Sequence, residues 1–478
     1  MQPRTPAQWI GVVLGLAGSV DRATYALVGV VLAVLKYAVE AGVLRAAAGR
    51  PLSPLDFVSP SLLVRSRLLE GTPQWLAWAF FLWSLPFIWI ALSMSVRRAA
   101  AAGLSPWLGV TVLLPVVNLV TMVALACLPD RRAEPPVAAA AGPGGLDDLA
   151  AVRAVAAAVA VGFVTFLVGV YAFKTYGAVL FFGTPLVMGM VAGFLANRPV
   201  ARSTAATLRI GLLVMVLAGG VLLAFAYEGL ICLVMAAPIV MPLAIAGALL
   251  GKWIAEATTA GFAGAVPLVL LLPLLSGAES LVAPLPEYEV LTTVEVDAAP
   301  AAVWRHVVEF PDLEPPTDWF FRCGIACPLR ARIEGAGPGA IRHCEFTTGD
   351  FVEPITVWDE PRRLAFDVTS QPDPMVELSP WRHVHPPHLH DHSLRSRRGE
   401  FRLVDLGDGR TRLEGRTWYT FAMHPQAYWT LWSDFTIHRI HRRVLEHVKR
   451  LAERGAEGGP GTDGPLHGAN DPPDARHP

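Results

Sequence analysis

The stretch Tyr288-Glu289-Val290-Leu291-Thr292-Thr293-Val294-Glu295-Val296 largely alternates apolar and polar residues, the period of a strand with one buried face. Asp297-Ala298-Ala299-Pro300 follows as a helix start, with an N-cap candidate and proline near the first turn. Val303-Trp304-Arg305-His306-Val307-Val308 then places apolar residues at i, i+1, i+4 and i+5, which suits a short amphipathic helix. Strand-like runs recur at 329–335, 339–348, 351–358, 363–369, 400–406 and 411–423, most of them parted by Gly, Pro or Asp. A long helix at about 427–452 closes the region, its Ile437, Ile440, Val444, Val448 and Leu451 forming one apolar stripe. This is an α+β order, and a curved antiparallel sheet wrapped on one long helix leaves room for a cavity between them.

That order resembles the START-like, or polyketide cyclase-like, helix-grip superfamily known as SRPBCC. The likeness is carried by Val294-Glu295-Val296-Asp297-Ala298-Ala299-Pro300-Ala301-Ala302-Val303-Trp304 and by Trp358-Asp359-Glu360-Pro361-Arg362-Arg363-Leu364. Arg410-Thr411-Arg412-Leu413-Glu414-Gly415 opens the last strand in the manner of such domains. The resemblance covers about a third of the chain and implies a fold more than an activity, because members bind lipids, hormones or polyketides and only some are enzymes.

The rest of the chain differs in kind. Of 478 residues, 53% are hydrophobic and 17% charged, with the apolar excess concentrated before residue 286. A mean hydropathy of +0.44 fits a multi-pass α-helical membrane protein with a water-facing end. Spanning takes about 20 apolar residues. Candidate spans are 23–44, 74–95, 104–128, 149–173, 176–196, 208–228, 230–250 and 260–280, giving seven to eight passes. The run at 104–128, interrupted by Pro115 and Asn118, reads as one kinked span or a re-entrant pair. Between the first two spans, 45–73 reads as a segment lying at the membrane interface. The lipid bilayer is therefore an expected partner. A net charge of −1 gives no case for nucleic acid.

Residues 1–130 form a first membrane module, similar over its length to the uncharacterised YhaH-like inner-membrane family (domain of unknown function 805). The likeness rests on Arg22-Ala23-Thr24-Tyr25, Pro86, Arg97-Arg98, Ser105-Pro106-Trp107 and Pro115. The basic pair here runs into Ala99-Ala100-Ala101, where that family continues with Leu-His-Asp. An Ala/Pro/Gly-rich linker occupies 131–148, a second helical module 149–280, and a stiff tether 281–287. The helix-grip domain covers 288–453, and the Gly/Pro/Asp-rich tail 454–478 reads as disordered. The expected location is a bacterial inner membrane. The basic clusters Arg97/Arg98, Arg131/Arg132/Arg153 and Arg198/Arg202/Arg209 all lie inside only if 104–128 crosses an even number of times. Eight single spans instead put both termini inside and leave two clusters outside. The scattered, unpaired cysteines, and the usual place of such domains, favour a cytoplasmic C-terminal domain.

For a ligand cavity, Leu413, Gly415, Thr417, Tyr419 and Phe421 share one face of the last strand. Trp429, Trp432 and Phe435 stand on the first turns of the closing helix. These residues either line a pocket or fill the core. His383, His385, His388, His390 and His392 lie within ten residues, and read either as ligands for Zn²⁺ or Ni²⁺ or as a polar loop at a cavity mouth. Cys323, Cys327 and Cys344 lack metal-site spacing and read as buried thiols. Lys36 and Glu40 are placed to pair within the first span, and Glu228 falls near the end of another.

No phosphate loop, HExxH or nucleophile elbow is present, and no cofactor is implied. The expected function is a membrane protein presenting a non-catalytic domain that binds a hydrophobic small molecule or lipid. The alternatives are a cyclase/aromatase-type enzyme, with Tyr419 or a histidine such as His343 as the polar group, and a transport or stress factor with a regulatory soluble domain.

Overall fold

A computed structural model describes residues 6–15, 18–58, 68–69, 71–113, 117–130, 149–257, 265–281, 286–380, 384, 386–390 and 393–457. The linker at 131–148, the tail beyond 457 and residues 59–67 and 70 of the 45–73 segment lie outside them. The chain divides into two compact units, residues 1–225 with 232–282, and residues 226–231 with 283–478.

Among the described residues, six helices are long and apolar enough to cross a bilayer: Arg22–Ala48, Trp75–Ala101, Ala150–Ala172, Val179–Asn197, Thr204–Ala224 and Leu230–Ala257. Val117–Cys127 and Val266–Glu279 are shorter apolar helices. The 104–128 run resolves into a helical turn at Trp107–Val110, a 3-10 turn at Thr111–Leu113 and the helix Val117–Cys127. At 1.5 Å per residue that last helix is too short to span by itself.

Within this unit, local chemistry sets the helix ends. The Asp21 carboxylate accepts the Thr24 N–H at 2.9 Å and starts Arg22–Ala48, which Gly49 ends in the left-handed region. Arg98 is fully buried and donates to the carbonyl oxygens of Leu125 and Leu128, which a helix end leaves unpaired. Gly189 and Gly193 let two helices touch backbone to backbone. A Cβ at either position would stand 2.0 Å from a carbonyl oxygen, that of Ala244 or Ala248.

The second unit contains a seven-stranded antiparallel sheet. Its strands are β1 (Glu287–Val296), β2 (Pro328–Glu334), β3 (Ile341–Phe346), β4 (Gly349–Asp359), β5 (Arg363–Asp367), β6 (Leu394–Gly407) and β7 (Arg410–Phe421). The helices are α1 (Pro300–Val308), α2 (Trp319–Arg322), α3 (Pro387–His390) and α4 (Gln426–Glu457). Strand order is β1-β7-β6-β5-β4-β3-β2, so the first and last strands pair and the meander runs outward from them. Register shifts in β2, β4 and β6 bend the strands and add to the sheet's curl. The β6–β7 hairpin turns on Asp408-Gly409, both at positive φ, the geometry that matches strand twist in a two-residue turn.

Helix α4 lies along the concave side of this sheet. Its stripe buries Val444 and Val448, together with Leu445 and Ala452, against Val296, Val303, Trp304, Leu364 and Leu413. A curled antiparallel sheet closed on one long helix is a helix-grip half-barrel. The start of α1 differs in detail from the sequence expectation. Ala299 occupies the N-cap with no side-chain bond and Pro300 opens the first turn, while the Asp297 N–H donates to the Glu453 carboxylate on α4.

Candidate ligand cavity

Strand parity aims residues 342, 344 and 346 of β3 and 351, 353 and 355 of β4 at the concave side. Most of those side chains are apolar, but one opposed pair is Arg342 and Glu353. A cavity of about 110 Å³ lies between this surface and α4. Its walls include Arg342, Cys344, Phe346, Phe351 and Glu353 from β3 and β4, and Phe366 and Phe401 from β5 and β6. Gly415, Arg416 and Thr417 of β7, Ser396, Arg398 and Glu400 of β6, and Ile437, Ile440, His441 and Val444 of α4 form the other walls.

Arg342 is 1% exposed. Its Nη1 donates to Glu353 Oε2 and its Nε to the Val308 carbonyl at 3.3 Å. The rings of Phe401, Phe310 and Phe366 stand 5.4, 5.6 and 5.7 Å from Cζ, close enough for their faces to stabilise the cation. Nη2 is buried and has no hydrogen-bond partner among the described residues. Burial draws the Arg342 pKa down, but the interactions with Glu353 and Cys344 together outweigh this and the guanidinium stays charged. Burial also pushes the Glu353 carboxyl up, and Arg342 draws it partly back. Cys344, desolvated beside them, is pushed up to about 12 and is a neutral thiol at ordinary pH.

On the α4 side, His441 is the polar group. Its Nε2 lies 2.8 Å from Thr417 Oγ1, and its Nδ1 lies 3.1 Å from Thr292 Oγ1. Desolvation, with a smaller contribution from His438, lowers its pKa to about 3, so the ring is a neutral imidazole. The cavity is thus apolar over most of its surface, with the buried Arg342–Glu353 pair on one wall, Ser396, Arg398, Glu400 and Arg416 on the β6–β7 wall, and His441 able to donate or accept on the α4 side. That composition is typical of small-molecule sites.

Among the sequence candidates, Gly415 and Thr417 line this cavity. Leu413 is packed in the core between sheet and helix. Tyr419 is fully buried, but its hydroxyl donates to Asp434 at 2.5 Å and meets Ser433 Oγ at 2.8 Å, tying β7 to α4 instead of facing the cavity. Phe421 and Trp429 are buried outside the cavity wall. Trp432 packs near Tyr428, and Phe435 is 41% exposed with its edge on Phe320. Trp429, Trp432 and Phe435 lie on α4 before Ile437, the first residue of that helix on the cavity wall, and Phe421 ends β7. His343 shares its strand with Arg342 but has the opposite parity and faces out toward Glu334.

The other candidates are scattered. His383, His385 and His392 lie outside the described residues, as does the side chain of His390. His388 is buried in α3, its Nδ1 3.7 Å from Oε1 of Glu228, a residue of the same unit. Lys36 and Glu40 form an ion pair on their helix, with Nζ 5.4 Å from the Phe57 ring. Cys323 is half-buried, while Cys327 and Cys344 are buried.

Sequence reading missed Arg342, Glu353 and His441. A signal for the first was present in Ile341-Arg342-His343-Cys344-Glu345-Phe346, where Arg342 shares parity with Cys344 and Phe346. An arginine on the apolar face of a strand is the anomaly to follow.

No family model matches the chain, and no curated protein matches its sequence. Solved structures similar to its C-terminal part include the ZhuI aromatase/cyclase from Streptomyces sp. R1128, at 18% identity and a TM-score of 0.26, covering 37% of this chain and 100% of that one. A norcoclaurine synthase point mutant from Thalictrum flavum is similar at 10% identity and a TM-score of 0.25, covering 37% and 99%. A structural-genomics target from Nitrosospira multiformis is similar at 15% identity and a TM-score of 0.24, covering 36% and 99%. The helix-grip description of this domain stands on its own strand order and on the seating of α4 in the sheet.

Proposed function

We propose that the C-terminal domain is a binding module for a compact, mainly apolar molecule that carries one electron-rich oxygen, attached to a helical region that spans a bilayer. The observation that carries this reading is Arg342, a fully buried cation whose Nη2 amino group has no hydrogen-bond partner among the described residues, at the wall of a mainly apolar cavity. Leaving a buried donor unmade costs about 1–3 kcal/mol. A ligand carbonyl, phenolate or carboxylate oxygen at Nη2 would recover that cost. At about 110 Å³ the cavity is well below the roughly 300–1,000 Å³ of drug-sized sites, which favours a ligand of few rings over a diacyl lipid. Six long apolar helices support the membrane part of the reading, and the domain's three free cysteines, Cys323, Cys327 and Cys344, support a cytoplasmic face for it.

The test is native mass spectrometry and solvent extraction of the full chain, purified in mild detergent. The expected result is a bound aromatic or alicyclic species that is lost from the double variant Arg342→Met/Glu353→Leu. Replacing both partners keeps the volume apolar without stranding a charge. An empty wild-type protein that takes up nothing from a mixture of small aromatic acids and ketones counts against the reading.

A further inference from the structure

One group of side chains is unexplained by simple ligand enclosure. His438 and His441 are three residues apart on α4 and present their Nδ1 atoms to the same hydroxyl, Thr292 Oγ1 of β1, at 2.8 and 3.1 Å. The other ring nitrogen of His441 meets Thr417 Oγ1 at 2.8 Å. Thr292 pairs with Gly415 across β1 and β7, so Thr417 is its diagonal neighbour on the same face, and the His441 ring bridges the two. Thr417 and His441 line the cavity, Thr292 is buried, and His438 is exposed.

Hydrogen-bond valence constrains this chain. A threonine hydroxyl has one proton, so Thr292 donates to one Nδ1 and accepts an N–H from the other. A neutral imidazole carries one proton, so the state of each ring determines the direction of the bond beyond it. Thr417, His441, Thr292 and His438 therefore turn over together. Either all three bonds point from the cavity to the surface, or all three point back.

We propose that Thr417, His441, Thr292 and His438 form a proton relay between the cavity and solvent, and that the ligand presents an exchangeable O–H, as a phenol, enol or carboxylic acid does, to Thr417. This rests on the ligand-binding reading above and adds a chemical role to the cavity. In the outward step the ligand O–H bond breaks and that proton joins Thr417. The former Thr417 proton passes to Nε2 of His441, and the Nδ1 proton of His441 passes to Thr292. The Thr292 proton passes to Nδ1 of His438, and the Nε2 proton of His438 leaves to a solvent base. The ligand retains the electron pair as an oxyanion, and the Arg342 guanidinium in the same cavity supplies the positive charge to hold it. Each imidazole ends neutral with its proton moved to the other nitrogen, so His441 never has to bear a charge. This suits a ring whose protonated form is strongly disfavoured by burial.

The experiment needs no ligand, so its failure is distinct from failure of the binding reading. The full chain, labelled with ¹⁵N-histidine and held in lipid nanodiscs, is examined by NMR at a pH where an ordinary histidine is neutral. The expected result is one protonated and one bare Nδ1 in the His438/His441 pair, with His441 ring-proton exchange with water slowed about tenfold or more in Thr292→Val. Thr292→Ser, which keeps the hydroxyl, restores the rate. His438→Phe slows exchange equally, and because His438 is exposed this variant carries the test if Thr292→Val fails to fold. An unchanged rate in both variants overturns the relay. A rate that falls in Thr292→Val but not in His438→Phe overturns its connection to solvent.

Discussion

Arg342 and Glu353 face each other across β3 and β4, ion-paired and almost completely buried, inside a domain whose core is mostly apolar. Desolvating two charges is costly, and the pair is tolerable only while both partners are present. Arg342→Ala alone should destabilise the domain by about 3–5 kcal/mol, because it strands the Glu353 carboxylate. Arg342→Met/Glu353→Leu should recover most of that loss. Urea unfolding followed through the tryptophans reads both, and two variants of equal stability would show that the charges are not coupled.

Tyr419 makes another buried polar tie, from β7 to Ser433 and Asp434 on α4. Burial and the Asp434 carboxylate both hold its hydroxyl in the protonated form. Tyr419→Phe should cost about 1.5–3 kcal/mol, the range for a hydrogen bond to a charged group. Ligand retention should be unaffected, since the ring lies outside the cavity wall. A variant with native stability and altered ligand binding would contradict both halves of this assignment.

Cys344 lines the cavity as a thiol with its pKa pushed up to about 12. Only the thiolate reacts rapidly with alkylating reagents. At pH 7.5 its peptide should stay unmodified by a maleimide in the folded protein and be modified fully in denaturant, as peptide mass mapping would reveal. Rapid modification of the folded chain at Cys344 would mean that the site is open and its thiol activated.

His441 gives the domain a signed pH dependence. Its pKa is about 3 folded, against an ordinary value of 6.5, so the unfolded chain binds a proton that the folded one refuses. Stability from this group is complete above 6.5 and is lost as pH falls from there toward 3. The slope attributable to His441 is up to about 1.4 kcal/mol per pH unit within that window. His441→Gln should flatten the difference between unfolding curves taken at pH 6.5 and pH 5, relative to wild type. Parallel curves for the two proteins would place the acid sensitivity elsewhere, for example on His306, His424 or His447, whose pKa values burial also lowers.

Much was decided by local pattern alone. Apolar runs of 20 or so residues leave a chain little choice but long helices, because the backbone must satisfy its own hydrogen bonds where side chains exclude water. Alternation in 288–296, the proline at 300 and the stripe from Ile437 to Leu451 likewise determine strand, helix start and helix face, since each depends only on the period of neighbouring residues. Parity on β7 placed Gly415 and Thr417 on the cavity side. It could not tell that Tyr419, on the same face, would be consumed by Ser433 and Asp434, because that depends on where along the strand α4 crosses. The cavity itself was decided only by tertiary structure. Arg342 and Glu353 are eleven residues apart in sequence and meet through the β3–β4 register, while His441 reaches Thr292 across about 150 residues through the pairing of the first strand with the last. A charge on a strand reads as solvent-facing until the curl of the sheet and the seating of one helix enclose it. That enclosure is a long-range packing event, which no local period encodes.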